Sequence, residues 1–183
     1  MGSLVAVCVV NGLRSDAGSV GVTAIDKRAV AHPVAVRTLG LHADVQADRK
    51  HHGGLDKAVY AYAAEDAAFW TDELGRSLDP GWFGENLRVE GVDVSGSRAG
   101  DRWRIGESVV LEVTMPRQPC QTFARWVGGP DARGWVKRFT AAGRPGAYLR
   151  VIRTGTVQAG DPIAVEPVSV DSAPTIAEVL ARI

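Results

Sequence analysis

Cysteine is scarce in this chain: Cys8 and Cys120 are the two among 183 residues. Two thiols cannot build a disulfide framework, and they cannot supply the four thiolates of an iron–sulfur cluster. An excess of charge is also missing. Lys plus Arg number 21 and Asp plus Glu number 21, so no global basic field favours a nucleic acid polymer or an anionic membrane surface. No apolar run approaches the ~20 residues of a spanning helix. The opening "MGSLVAVCVVNG" has no charge before its short apolar run, unlike a secretory leader. "MGSLVA" also lacks the Ser/Thr of an N-myristoylation signal. Neither GxxxxGK[ST] nor GxGxxG occurs, so ordinary ATP and NAD sites are not signalled. The absences predict a cytoplasmic, soluble chain with no membrane and no nucleic acid polymer among its partners.

What is present is a series of short apolar runs separated by Gly, Pro, Asp and Asn. Residues 4–10, 20–25, 34–39, 58–63, 85–91, 101–105, 108–114, 147–152 and 161–168 read as strands. They are rich in Val, Ile and aromatics, and turn residues bound them. Helical stretches are fewer. "AEDAAFWTDELG" (64–75) ends at a glycine cap, and "DARGWVKRFTAAG" (131–143) spaces Trp135, Val136 and Phe139 helically. "APTIAEVLARI" (173–183) carries Ile176, Val179, Leu180 and Ile183 as an amphipathic stripe.

Many close strands with few helices predict a mainly β fold, a closed or strongly coiled β-barrel decorated by helices. The expected division is a barrel domain over 1–168 and a helical tail over 169–183, after the polar joint "EPVSVDSAP". Ala-Gly-Asp precedes an apolar strand twice, at Gly100-Asp101 and Gly160-Asp161. The echo fits either a favoured tight turn or an internal duplication.

Three stretches carry candidate chemistry. In "ADRKHHGGLDKAVYAY", Lys50, His51, His52, Asp56 and Lys57 surround Gly53-Gly54. Adjacent side chains on a strand point to opposite faces, which argues against one metal held by both histidines. The segment reads as a solvated turn or as an anion cradle, where paired glycines let backbone N–H groups converge on a phosphate. In "GWFGENLRVEG", Glu85 and Asn86 follow an aromatic pair and offer acceptors and donors to a heterocycle edge. In "MPRQPCQTF", Pro116 and Pro119 stiffen the backbone before Cys120, with Arg117 nearby. A cation favours thiolate, the nucleophilic and metal-ligating form. The alternative is an inert, half-buried thiol.

In this order, "HHGGLDKAVYAY", "FGENL", "GDRWRIGESVVLEVTMPRQPC" and "YLRVI" resemble the MOSC family, domains related to the C-terminal part of molybdenum cofactor sulfurase. The resemblance runs from about Val5 to Val165 and is closest to the stand-alone bacterial branch. It implies a β-barrel-like fold that binds the molybdenum cofactor (Mo-molybdopterin). It implies that the Cys120 thiolate ligates molybdenum, a soft donor for a metal otherwise held by dithiolene sulfurs. His52, Gly53, Gly54, Asp56 and Lys57 match the family's first motif and are expected in the pterin–phosphate pocket, with Lys50 and His51 added by proximity. Glu85 and Asn86 match the second motif. Arg117 and Gln118 are expected beside the metal, Arg being suited to forked recognition.

The implied activity is reduction of N-hydroxylated compounds of the hydroxylamino-purine type to amines, by oxygen-atom transfer at Cys120-ligated molybdenum. Proton delivery falls to His52 or Asp56, between which the sequence does not choose. With no dinucleotide fingerprint and too few cysteines for a cluster, electrons are expected from a separate flavoprotein or iron–sulfur protein. A homodimer is an open alternative to a monomer. A rival reading makes the protein a carrier of persulfide sulfur or of the cofactor, without turnover; a third makes it an interaction domain with an incidental cysteine. Two departures from the family pattern stand out. One helix closes the chain where the branch commonly carries three, and Ala147 stands where a bulky aromatic is expected before Tyr148.

Overall fold

The computed structural model describes residues 1–48, 53–168 and 173–183. The first strands are β1 (Gly2–Val10), β2 (Arg14–Ser15), β3 (Val22–Thr23), β4 (Lys27–Val30), β5 (Val34–Arg37) and β6 (Gly40–Leu41). They are followed by β7 (Val59–Ala63), helix α1 (Ala64–Leu74), β8 (Leu87–Glu90), β9 (Arg102–Ile105) and β10 (Val109–Pro116). Helices α2 (Gln121–Val127) and α3 (Trp135–Ala142) precede β11 (Ala147–Arg153), β12 (Gly155–Val157), β13 (Pro162–Glu166) and the closing helix α4 (Ile176–Ala181).

Seven strands run in the order β13-β9-β10-β11-β7-β8-β1, and β1 returns to β13 through Gly2–Ile163 and Ser3–Pro162. The ring is therefore closed, as expected, and its strands leave no unpaired edge. Its pairings are antiparallel except β7 with β8. β1 passes a bulge between Leu4 and Ala6. Beyond it, the far half of β1 carries β4 on its outer side, pairing Val7 with Val30 and Val10 with Lys27.

Alternation along β7 decides what lies on each face. Val59, Ala61 and Ala63 belong to the barrel core with Leu87, Trp103 and Leu149. Small residues suit the narrow lumen of a seven-stranded ring. Tyr60 and Tyr62 point the other way, into a second core with Trp70, Phe83, Phe123, Trp135 and Phe139, built where α1, α2 and α3 cover the barrel wall. Tyr62 stacks on Phe83 at 4.0 Å between centroids, and Phe123 meets Phe139 edge-on at 5.2 Å. Offset and edge-to-face pairs of this kind add to the area they bury. One strand therefore belongs to two cores.

The Ala-Gly-Asp echo is one turn made twice. Asp101 N donates to the Arg98 carbonyl at 3.0 Å while Asp101 Oδ2 accepts from Arg98 N at 2.8 Å. Asp161 repeats both bonds with Gln158, at 3.2 and 2.9 Å. The intervening glycines have φ of +97° and +91°, where a side chain would be strained. The echo marks the same tight turn at both places. β9 and β13, which the two turns launch, then pair side by side.

The structure adds elements that the sequence reading lacked: the short strands β2, β6 and β12, and also β4 and α2. β4 was absent from that reading because "KRAV" is a polar strand lying outside the ring, exposed at Arg28 and Ala29. α2 was absent because its N-cap is Cys120, with no capping side chain, and its seven residues are too few for a periodic stripe. The closing helix packs onto the barrel. Thr175 and Glu178 form a capping box, Ile176 sits in the barrel core, and Ile176 N and Ala177 N donate to the carbonyls of Ser97 and Ser95. Among the described residues no helix is long and apolar enough to cross a membrane.

Candidate functional site

A cavity of about 630 Å³ opens beside Cys120. β10 ends at Pro116, the clamp Arg117–Cys120 forms one wall, and Lys57, Tyr60, Asn86 and Tyr148 reach it from the barrel side. The β2–β3 hairpin covers a further side through Gly18 to Val22. Asp16 anchors that hairpin to α2. Its two carboxylate oxygens accept from Arg125 Nε and Nη2 at 2.7 Å each, and Oδ2 also accepts from Thr122 Oγ1 at 3.0 Å. The Arg125 guanidinium lowers the Asp16 pKa to about 2.

Cys120 is half-buried and Cys8 is buried; they form no disulfide. Cys120 caps α2, its carbonyl accepting from Ala124 N at 3.0 Å. The buried Arg117 lies beside it. Nη1 donates to the Phe83 carbonyl at 2.9 Å, and the guanidinium faces the rings of Phe123 at 3.9 Å and Tyr60 at 5.3 Å. Burial opposes the Arg117 charge, but Tyr60, Tyr148 and Cys120 hold its pKa above the usual arginine value. Burial likewise pushes the Tyr60 and Tyr148 phenols up, with Arg117 partly countering, so both remain neutral donors. Burial also pushes the Cys8 thiol far up, which leaves it inert.

Asn86 ties the cavity wall together. Its Oδ1 accepts from Tyr60 N at 3.1 Å, and Nδ2 donates to the Cys8 carbonyl at 3.3 Å and to Asp44 Oδ2 at 2.8 Å. Asp44 also pairs with the Lys27 ammonium, the two side chains being 7% and 9% exposed.

The structure thus brings Lys57, Asn86, Arg117, Gln118 and Cys120 onto one cavity from three separate motifs. Glu85 is not among them. It is fully buried, accepts from Gly81 N and Phe83 N at 2.7 and 3.0 Å, and is the counterion of Arg88. Next to Asn86, it points to the opposite side and holds the GWFG turn closed. Asp56 does not line the cavity either: half exposed, it accepts from Arg150 Nε at 2.8 Å. Gly53 and Gly54 also lie off the lining. Lys50, His51 and His52 lie outside the described residues. Sequence reasoning gave no role to Lys27, Asp44, Tyr60 and Tyr148: the two tyrosines lie in quoted motifs, and nothing local marks Lys27 and Asp44. Among the described residues no group of three or more His, Cys, Asp or Glu could hold a metal ion.

A closed barrel with one half-buried thiol at a proline-stiffened helix start, over a cavity with a buried arginine, defines the class of site. The chain belongs to the MOSC domain family, whose profile matches residues 48–164. It is 39% identical over 138 residues to YflK of Bacillus subtilis (strain 168), covering 75% of this chain and 61% of YflK. A protein named reductase from Gibberella moniliformis (strain M3125 / FGSC 7600) is 32% identical over 145 residues, 78% of this chain and 25% of that protein. The chain therefore spans less than two thirds of either relative. The crystal structure of YiiM from Geobacillus stearothermophilus matches with a TM-score of 0.76 and 28% identity, covering 98% of this chain and 82% of that one.

Proposed function

We propose that this protein binds the molybdenum cofactor through Cys120 and reduces N-hydroxylated compounds, of the hydroxylamino-purine type, to amines. The observation that carries the reading is the half-buried Cys120 opening onto the cavity beside the buried Arg117. Membership of the MOSC family and similarity to a protein named reductase support it.

The residues present fit the group. A thiolate is a soft ligand for molybdenum, and one suffices where the pterin supplies dithiolene sulfurs. Arg117 has no carboxylate partner among the described residues, so its charge is available to a thiolate and to the cofactor's phosphate. Lys57 and Gln118 add donors on the same cavity. When bound, the cofactor supplies the two-electron chemistry that breaks the N–O bond.

The chain's own residues position and shield. The Phe123 and Tyr60 rings fix the Arg117 fork, Asn86 holds the wall, and the Asp16–Arg125 contact ties the β2–β3 hairpin over one side. In this reading electrons come from a separate flavoprotein or iron–sulfur protein.

The test is elemental analysis for molybdenum on protein from a cofactor-competent host, beside Cys120→Ser, with dye-linked reduction of 6-hydroxylaminopurine. The reading expects near-stoichiometric metal and turnover in the wild type and loss of both in the variant. Full activity in Cys120→Ser sinks the metal-ligand role. Protein without metal, but with sulfur that a reductant releases from Cys120, makes it a sulfur carrier; bound metal without turnover makes it a cofactor carrier.

A further inference from the structure

The wall opposite in chemistry to Arg117 is made by an ion pair that no motif contains. Lys27 begins β4, Asp44 follows β6, and both line the Cys120 cavity. Ion pairs this deeply buried bring little net stability, because desolvating both charges offsets their attraction. Something other than folding is therefore needed to explain a charged pair on a cavity wall.

Hydrogen-bond accounting shows which partner is left over. Asp44 is well supplied: Oδ1 accepts from Val10 N at 2.9 Å, and Oδ2 accepts from Asn86 Nδ2 at 2.8 Å and from Lys27 Nζ. An ammonium has three donors and no acceptor. Lys27 gives one to Asp44, and its other two have no partner among the described residues. They belong to a side chain that is 91% buried, counted from its 9% exposure, against a cavity wide enough for a ligand.

Charge separates this wall from the clamp. Lys27 and Asp44 cancel, whereas Arg117 has no carboxylate partner among the described residues. A phosphate-bearing group is drawn to Arg117. A neutral group with a lone pair suits Lys27, which offers donors without a net field.

We propose that Lys27 is a substrate-binding residue of the Cys120 cavity, its ammonium held by Asp44 and donating to an acceptor atom of a neutral N-hydroxylated ligand. Asp44 and Asn86 are then positioning residues that aim the ammonium. The inference rests on the reductase reading for its ligand class and on the geometry for the residue.

Calorimetric titration of the molybdenum-loaded protein with 6-hydroxylaminopurine, without an electron donor, tests it directly. Inorganic pyrophosphate serves as the anion probe, and metal content is measured alongside. Lys27→Met, which keeps the apolar stem and removes the donors, weakens purine binding by about tenfold or more. Lys27→Arg stays within about threefold of wild type because it keeps a charged donor. Molybdenum content and pyrophosphate affinity are unchanged in both. If Lys27→Met fails to fold, the double variant Lys27→Met/Asp44→Asn, which removes both charges together, must show the same loss. Purine affinity unaltered by these changes overturns the inference. Loss of molybdenum or of pyrophosphate binding instead also overturns it, by assigning Lys27 to the anion. A wild type that binds neither purine nor its amine product overturns it too. A wild type that binds the purine through Lys27 yet never reduces it overturns the reductase reading and leaves the Lys27 site standing.

Discussion

Arg117 lies face-on over Phe123, with 3.9 Å between guanidinium carbon and ring centroid, while its Nη1 donates to the Phe83 carbonyl. Three stretches meet in that contact: the proline clamp, the first turn of α2, and the GWFG turn 34 residues earlier in the chain. A fork that both stacks and donates needs a planar guanidinium. Arg117→Lys keeps the charge and loses the geometry. The expected result is a stability loss of about 1–3 kcal/mol, since the Phe83 carbonyl loses its donor and the ring its stack. Cofactor retained per chain should also fall. Chemical denaturation and metal analysis read the two effects separately.

Glu85→Gln distinguishes an internal counterion from a cofactor contact. Removing the charge strands the Arg88 guanidinium, whose side chain is 5% exposed. Breaking a buried pair from one side costs about 3–5 kcal/mol. The expected outcome is a lower unfolding midpoint, with metal bound normally by the fraction that remains folded. A variant of unchanged stability that had lost its metal would return Glu85 to the cavity.

Thiol labelling should resolve the two cysteines. Under native conditions at mildly alkaline pH a maleimide modifies Cys120 alone, because Cys8 is fully buried and burial raises its pKa far above the usual value. In denaturant both react. Peptide mapping checks the assignment, and modification of native Cys8 would contradict the closed β1–β8 wall. Metal-loaded protein should label more slowly at Cys120.

The Asp16–Arg125 contact predicts an acid dependence of known sign. The folded carboxyl titrates at about 2 against an ordinary 3.8, so folding favours its ionised form. The stabilisation is fully present above the ordinary value and fades as pH falls from about 4 towards 2. Because Arg125 is 39% exposed, solvent screens the contact and its contribution is small. The stability gap between wild type and Arg125→Gln, followed by denaturant unfolding, should be constant near neutral pH and close across that window. A gap that persists at the acid end would show that Arg125 acts through packing.

Much of the barrel was legible because its signals are local. Eight of the nine strands expected from apolar runs fall on observed strands four or more residues long, and the ninth, at 20–25, shrinks to Val22–Thr23. The clamp was legible because two prolines flank a polar cysteine. Glu85 and Asp56 lie off the cavity, which the motifs could not show because a motif fixes residue types and not side-chain directions. One residue of displacement along extended backbone puts Asn86 on the cavity and Glu85 behind it.

By itself, then, the chain determined its strands, its Gly-Asp turns, the inert Cys8 within an apolar run and the singular Cys120. Those follow from pattern, φ preference and composition, which act over a few residues. The tertiary structure alone decided the ring closure of β1 on β13, the two-sided use of β7, and the wall of Lys27, Asp44 and Asn86. Asn86 reaches Asp44 across 42 positions and Cys8 across 78. No local rule reaches that far; long-range strand pairing makes those side chains neighbours.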